Sequence, residues 1–359
     1  MDSWKRPTRS RHMARRAGSD GSSLTQELPT LLAQYGFAAE QIESFDRLPQ
    51  RVKNINFRVS AGGRDWILKC HTPAAAKNLA FSHQLELLLA ESGFPVAALQ
   101  RTDTGATLVE HGGSFFTLHA WVSGRHFSIG QRDRELAAQP ALAGDLGRAL
   151  GTMHRIGEPL VSQWPAGAAP GWLLAGPSRT VTSIRRGRPP QLFKAMRLRL
   201  RPKKTDFDRW ILDRLPELYR DAASLATTRF PEQDAADLVV AHNDLNWENL
   251  IFGPGPELLA ILDFDNATVL PRALDVGAAA AVLAGGSASH MDEFLAGYTQ
   301  AHGRAVDLGL VTLGMRWKCV RSMLWSFDSY LSGRVADPAL VASWCHHLHG
   351  CLRAISRPA

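Results

Sequence analysis

The chain has 359 residues, 45% of them hydrophobic and 21% charged, with a formal net charge of +7. That length can bury a sizeable core and fits about two domains or one large two-lobed unit. No apolar run reaches the roughly 20 residues that span a bilayer, and the four cysteines show no paired spacing of a disulfide framework, so a soluble enzyme of the reducing cytoplasm is expected.

Residues 1–23, "MDSWKRPTRSRHMARRAGSDGSS", are basic and serine-rich without an apolar centre, and read as a disordered tail rather than a secretory signal. Together with "RRGRPPQLFKAMRLRLRPKK" at 185–204, this tail accounts for the positive balance. Such runs are most often solvated surface, so neither a nucleic acid nor a membrane is expected as a partner.

From Leu24 to about Phe45 the pattern "LTQELPTLLAQYGF" recurs at helical spacing, with Ser23 or Thr25 as a cap. "INFRVSAGGRDWILKCHT" then alternates on either side of Gly62 and Gly63, a hairpin pattern that puts Lys69 inside a second strand. "NLAFSHQLELLLAESGF" reads as a helix stopping at Gly93. "PVAALQRTDTGATLVEHGGSFFTLHAWVSG" reads as three short strands. One helix on five strands makes a small lobe over 24–122.

Beyond it, over 123–359, the pattern turns helical: "ALAGDLGRALGTMHRIG", "DFDRWILDRLPELYRDAASLA", "HMDEFLAGYTQAHG" and a long stretch from about 307 to 355. "WPAGAAPGWLLAGPS" between the first two reads as a loop, and "VGAAAAVLAGG" at 276–286 as a buried helix. "CHHLHGC" sets Cys345 and His349 one turn apart, as metal ligands sometimes are. No matching ligand pair stands out elsewhere, and a helix ending at Gly350 explains these residues better.

The chemistry concentrates in "VVAHNDLNWENLIFGP" and "AILDFDNA". Phosphoryl transfer from ATP needs a lysine for the phosphates, two groups for magnesium and a carboxylate for the attacking hydroxyl. Asp244 follows His242 by two residues, and Asn249 follows Asp244 by five, the interval of a kinase catalytic loop. Asp263 comes fourteen residues after Asn249, at the end of a strand. A hairpin turning at "GPGPE" would set Asn249 beside Asp263, with oxygen donors of the kind magnesium prefers. His242 stands as a second catalytic candidate, with a structural bond to the loop backbone as the alternative.

These motifs resemble those of the aminoglycoside phosphotransferase and choline kinase family, which has the protein-kinase-like fold. The implied class is α+β and bilobal, a small antiparallel-sheet lobe followed by a larger, mainly helical one. "KNINFRV" and "NLAFSHQLELLLAESGFPV" make the small lobe most similar to homoserine kinases of this fold. The resemblance implies Asn54 and Phe57 in a nucleotide-covering hairpin, Lys69 on the phosphates with Glu86 as its helix partner, and an adenine hinge from His119 to Trp121. It further implies Asp244 as base, Asn249 and Asp263 as magnesium ligands, and Asp275 as a brace. Asn243 stands where the family has glycine, and asparagine tolerates a positive φ better than most residues.

The expected function is transfer of the γ-phosphoryl group of ATP to a hydroxyl of a small amino-alcohol, amino acid such as homoserine, or sugar-like molecule. An aminoglycoside antibiotic kinase, a protein serine/threonine kinase of the same fold and a nucleotide-binding pseudokinase stay open. Trp247, Trp317 and Trp325 fall where an acceptor pocket could be, or are plain core.

Overall fold

A computed structural model describes residues 21–48, 55–76, 79–163, 192–227, 237–335 and 337–355. Asn54, most of the basic tail, the 164–178 loop and residues 185–191 of the basic stretch lie outside the described residues. The chain divides into two compact units, residues 1–74 with 99–121, and residues 75–98 with 122–359.

The first unit is a helix, Gly21–Ala33, on a five-stranded antiparallel sheet. Its strands are β1 (Ile42–Arg47), β2 (Ile55–Ala61), β3 (Arg64–His71), β4 (Val109–His111) and β5 (Ser114–Ala120), in the order β1-β2-β3-β5-β4. The helix expected to run to about Phe45 stops at Ala33, beyond which Gly36 takes a φ of 81°. "IESFDR" then forms β1, with Ile42 and Phe45 packed against the core. The three strands expected over 95–124 are two, β4 and β5, with Leu99 adding one isolated bridge to His119.

The β2–β3 hairpin turns on Gly62 and Gly63, with φ of 62° and 69°, which glycine adopts without steric cost. Residues paired across an antiparallel sheet share a face, so the ladder sorts the side chains. Phe57, Val59, Ala61, Trp66, Leu68, Phe116 and Leu118 turn to one side and are buried with Leu28, Leu31, Leu32 and Tyr35. Burying each of the larger side chains among them contributes about 1.5–3 kcal/mol. Lys69, opposite Asn56 and Thr117, lies on the other side with Ile67 and His119.

Helix Leu79–Glu91, expected in the small lobe, belongs to the second unit. There, strand β7 (Leu238–Ala241) pairs with β10 (Thr268–Pro271), and β8 (Leu250–Phe252) lies between β6 (Arg125–His126) and β9 (Leu258–Ile261). The same unit holds helices Leu142–Gly157, Asp206–Thr227, Arg272–Leu283, Ala288–His302, Leu308–Leu331 and Pro338–Ile355. Thr205 and Asp208 cap the start of Asp206–Thr227 reciprocally, at 2.9 and 3.0 Å.

Every residue of Arg272–Leu283 is buried, as the alanine-rich pattern predicts. It lies against Leu308–Leu331 along a seam of two glycines: a Cβ on Gly277 would strike Val311 O, and one on Gly314 would come within 2.6 Å of Leu274 O. The helix expected to end at Gly350 continues to Ile355, and no cluster of metal-binding side chains occurs among the described residues. Burial pushes the Cys345 thiol up to about 12, which keeps it protonated. No helix among the described residues is long and apolar enough to cross a membrane.

Candidate active site

The second unit brings together most of the residues singled out in the two motifs. Strand β7 carries buried Val239, Val240 and Ala241 to His242, which is itself fully buried. The imidazole lies between two main-chain groups: Nε2 is 2.8 Å from Leu262 O, and Nδ1 is 3.2 Å from the amide of Asp244. A carbonyl only accepts and an amide only donates, so the ring is the neutral tautomer protonated at Nε2. Both nitrogens are thereby engaged with the main chain. Phe264 backs the ring at 4.5 Å between centroids.

Beyond His242 the chain must turn sharply, and Asn243 does so at φ 62°. Its side-chain amide donates to Asn266 O at 3.2 Å, which anchors the turn. Asp244 then sits in a ring of asparagines. Asn266 donates to Asp244 Oδ2 at 3.3 Å, Asn246 reaches Asp244 O at 3.0 Å and Oδ1 at 3.5 Å, and Asn249 donates to Asp244 O at 2.9 Å. Neutral donors hold the carboxylate in place without neutralising it by an ion pair.

Register explains how Asn249 and Asp263 come together. Leu250 pairs with Ile261 across β8 and β9, and Leu262 N donates to Asn249 O at 2.8 Å. Asp263 is therefore the next residue beyond the one facing Asn249, and it projects from a left-handed backbone of φ 65°, ψ 62°. The Asn249 amide nitrogen is spent on Asp244 O, so its side-chain oxygen is the end left to accept or to ligate. One amide oxygen and one carboxylate are the sparse, hard donor set that suits magnesium, which keeps waters and phosphate oxygens for the rest of its shell.

Trp247, held open as pocket wall or core, is core. It is fully buried, stacked on Phe252 at 5.9 Å and edge-on to Phe127 at 6.2 Å. Glu248 follows it and accepts from Ile129 N at 3.0 Å, pinning the loop from below. Asp275 receives His154 Nε2 at 3.0 Å, while the other ring nitrogen takes the Tyr298 hydroxyl at 3.0 Å, a buried chain of three polar side chains.

In the first unit, Lys69 shares its face with Asn56, Thr117 and His119, and Trp121 N closes onto Asp65 O at 3.0 Å. Phe57, named for the nucleotide-covering hairpin, belongs to that hairpin but turns its ring to the opposite side, stacked on Phe45 at 4.6 Å within the core. Arg58, on the Lys69 side, lies 4.6 Å over the Trp121 ring and 2.5 Å from Asp65. Glu86 is buried on Leu79–Glu91 in the second unit.

The sequence reading passed over Asn246, Asn266, Lys318 and Arg321. The two asparagines stand inside the quoted motifs, where their number was the available signal. Lys318 is buried and Arg321 half-buried in helix Leu308–Leu331, which periodicity alone presents as core. The charges of Asp244 and Asp275 act on both cations, although burial draws the Lys318 ammonium below its usual range and Arg321 to about 10. A groove of about 610 Å³ between residues 192–199 and helix Asp206–Thr227 is lined mostly by apolar side chains and contains none of the catalytic candidates.

A family model described as "phosphotransferase enzyme family" matches residues 44–309. A solved spectinomycin phosphotransferase, in complex with ADP and spectinomycin, is 13% identical with a TM-score of 0.60, covering 93% of this chain and 94% of its own. An aminoglycoside phosphotransferase from Alicyclobacillus acidocaldarius is 17% identical with a TM-score of 0.58, covering 90% and 93%. An amicoumacin kinase in complex with AMP-PNP and Ca2+ is 16% identical with a TM-score of 0.59, covering 95% and 96%. No curated protein sequence matches the chain.

Proposed function

Because the chain belongs to the phosphotransferase enzyme family, whose model spans residues 44–309, we propose that it moves the γ-phosphoryl group of ATP to a hydroxyl of a small molecule. The observation that carries this reading is the loop from His242 to Asn249, in which a carboxylate is fixed by neighbouring asparagines beside an Asn/Asp pair able to take a hard cation.

Asp244 accepts the acceptor's proton as its oxygen bonds to the γ-phosphorus and the bond to the bridging oxygen of ADP breaks. Asn246 and Asn266 keep the carboxylate aimed, and His242 positions the loop without exchanging protons. Asn249 and Asp263 would hold magnesium, which when bound offsets charge on the phosphates. Lys69 supplies a cation for phosphate oxygens from the face it shares with Asn56, and the main chain from His119 to Trp121 the adenine hinge.

The test is ATP consumption against amino-alcohols, hydroxy amino acids, sugars and aminoglycosides, repeated with Asp244→Ala. Turnover that vanishes in the variant supports the assignment, and no turnover on any acceptor together with no acceptor-free ATP hydrolysis would sink it. Turnover of a protein substrate alone, or nucleotide binding without turnover, would move the chain to the kinase or pseudokinase alternatives.

A further inference from the structure

Lys318 is the one lysine buried among the described residues, 4% exposed in the middle of helix Leu308–Leu331. Its ammonium group forms neither a hydrogen bond nor an ion pair among the described residues. An unpaired cation is costly to bury, and a chain keeps one where something else supplies the counter-charge. The two carboxylates whose charges reach it, Asp244 and Asp275, make no direct bond to it, and Asp275 is bonded to His154.

Arg321 follows one turn later on the same side, its guanidinium lying 4.2 Å over the buried Trp317 ring, and Trp325 continues that side to the surface at 51% exposure. The Gly277–Gly314 seam fixes this helix against Arg272–Leu283, the helix of Asp275. The charges that Asp244 acts on in this helix are thus cationic, opposite to what a polycationic aminoglycoside would require.

Resting on the assignment of Asp244 as the base, we infer that Lys318 and Arg321 receive an anionic group of the acceptor, so that the substrate is a small alcohol carrying a carboxylate or a phosphate ester. Such an anion gives Lys318 a direct partner and forms charge-assisted hydrogen bonds that also orient the hydroxyl.

The experiment measures ADP release by the full-length chain with matched acceptors: glycerate, glycerol 3-phosphate and glycerol; serine and ethanolamine; homoserine and 3-aminopropanol; and kanamycin as the cationic arm. The anionic members should exceed their neutral or cationic partners by about tenfold or more in kcat/KM, and the glycerate and glycerol 3-phosphate arms separate carboxylate from phosphate. Lys318→Met should abolish the preference by raising acceptor KM while KM for ATP holds, and Arg321→Met should reduce it. A thermal midpoint at or above the parent's shows that the methionine variant folds. Equal turnover of glycerol or kanamycin, or a preference that survives Lys318→Met, overturns the inference, as does a variant that slows every acceptor and ATP hydrolysis alike. If no acceptor reacts, acceptor-free ATP hydrolysis that Asp244→Asn abolishes keeps the phosphotransfer reading and overturns this one. Absence of hydrolysis overturns both.

Discussion

Replacing His242 with phenylalanine isolates what the imidazole does. The ring is fully buried, so phenylalanine fills the space, but Leu262 O loses a donor at 2.8 Å and the Asp244 amide an acceptor at 3.2 Å. Each orphaned buried group costs about 1–3 kcal/mol, so the pair costs about 2–6 kcal/mol. For a unit of this size that lowers the thermal midpoint by roughly 10 °C. The Leu262 carbonyl precedes Asp263 and the amide belongs to Asp244, so the same loss slackens both functional side chains and should lower kcat by about a hundredfold. Scanning fluorimetry and steady-state kinetics over pH 5–9 read the two effects. A midpoint within about 2 °C of the parent's with unchanged kcat would refute the positioning role. So would full stability with loss of one limb of the pH–rate profile, which would mark a proton-transferring histidine.

Asp244→Asn should retain nucleotide affinity by calorimetry and lose about 10²–10⁴-fold in kcat, whereas Asp263→Asn should lose magnesium-dependent nucleotide binding; parental activity in either rejects its role. Asn243→Ala should destabilise by about 1–3 kcal/mol, and Asn243→Gly by less, because glycine accepts φ 62° while both lose the bond to Asn266 O; equal denaturant midpoints would show that φ is not the determinant. Gly314→Ala should cost about 1–3 kcal/mol by driving a methyl into Leu274 O, and an unchanged midpoint would mean that the seam opens freely. Burial and the charge of Arg272 draw His302 down to about 4 from 6.5. Between those values the unfolded chain binds more protons, so stability contributed by neutral His302 is present above pH 6.5 and is lost as pH falls through 4. His302→Gln should flatten that part of the stability curve, and an unaltered slope would place the dependence elsewhere.

The motifs were legible because they are local. His242 to Asn249 is one loop, and the turn at 253–257 has few alternatives, so the pairing of Leu250 with Ile261 follows from the sequence. Strand β1 was not legible: "IESFDR" is too short and too charged to reveal that β2 needs a neighbour on its outer edge. The orientation of Phe57 depended on which face the Gly21–Ala33 helix covers, a tertiary fact. Lys318 was invisible for a similar reason. In a helix with apolar residues on nearly every side, one lysine reads as a solvent-facing interruption, and only the seam with Arg272–Leu283 turns it inward.

The Gly62–Gly63 turn has a consequence for how the chain can vary over evolutionary time. Gaining or losing one residue on either arm beside the turn would exchange the two sides of β3, sending Lys69 among Leu28 and Leu31 and exposing Leu68. Length changes there are tolerable in pairs, or as a bulge, whereas the tip itself is open, with nothing within 4 Å of a Cβ on Gly63. Deletions of increasing length across 58–68 should therefore alternate between inactivating and tolerated steps, a parity rule imposed by one lysine.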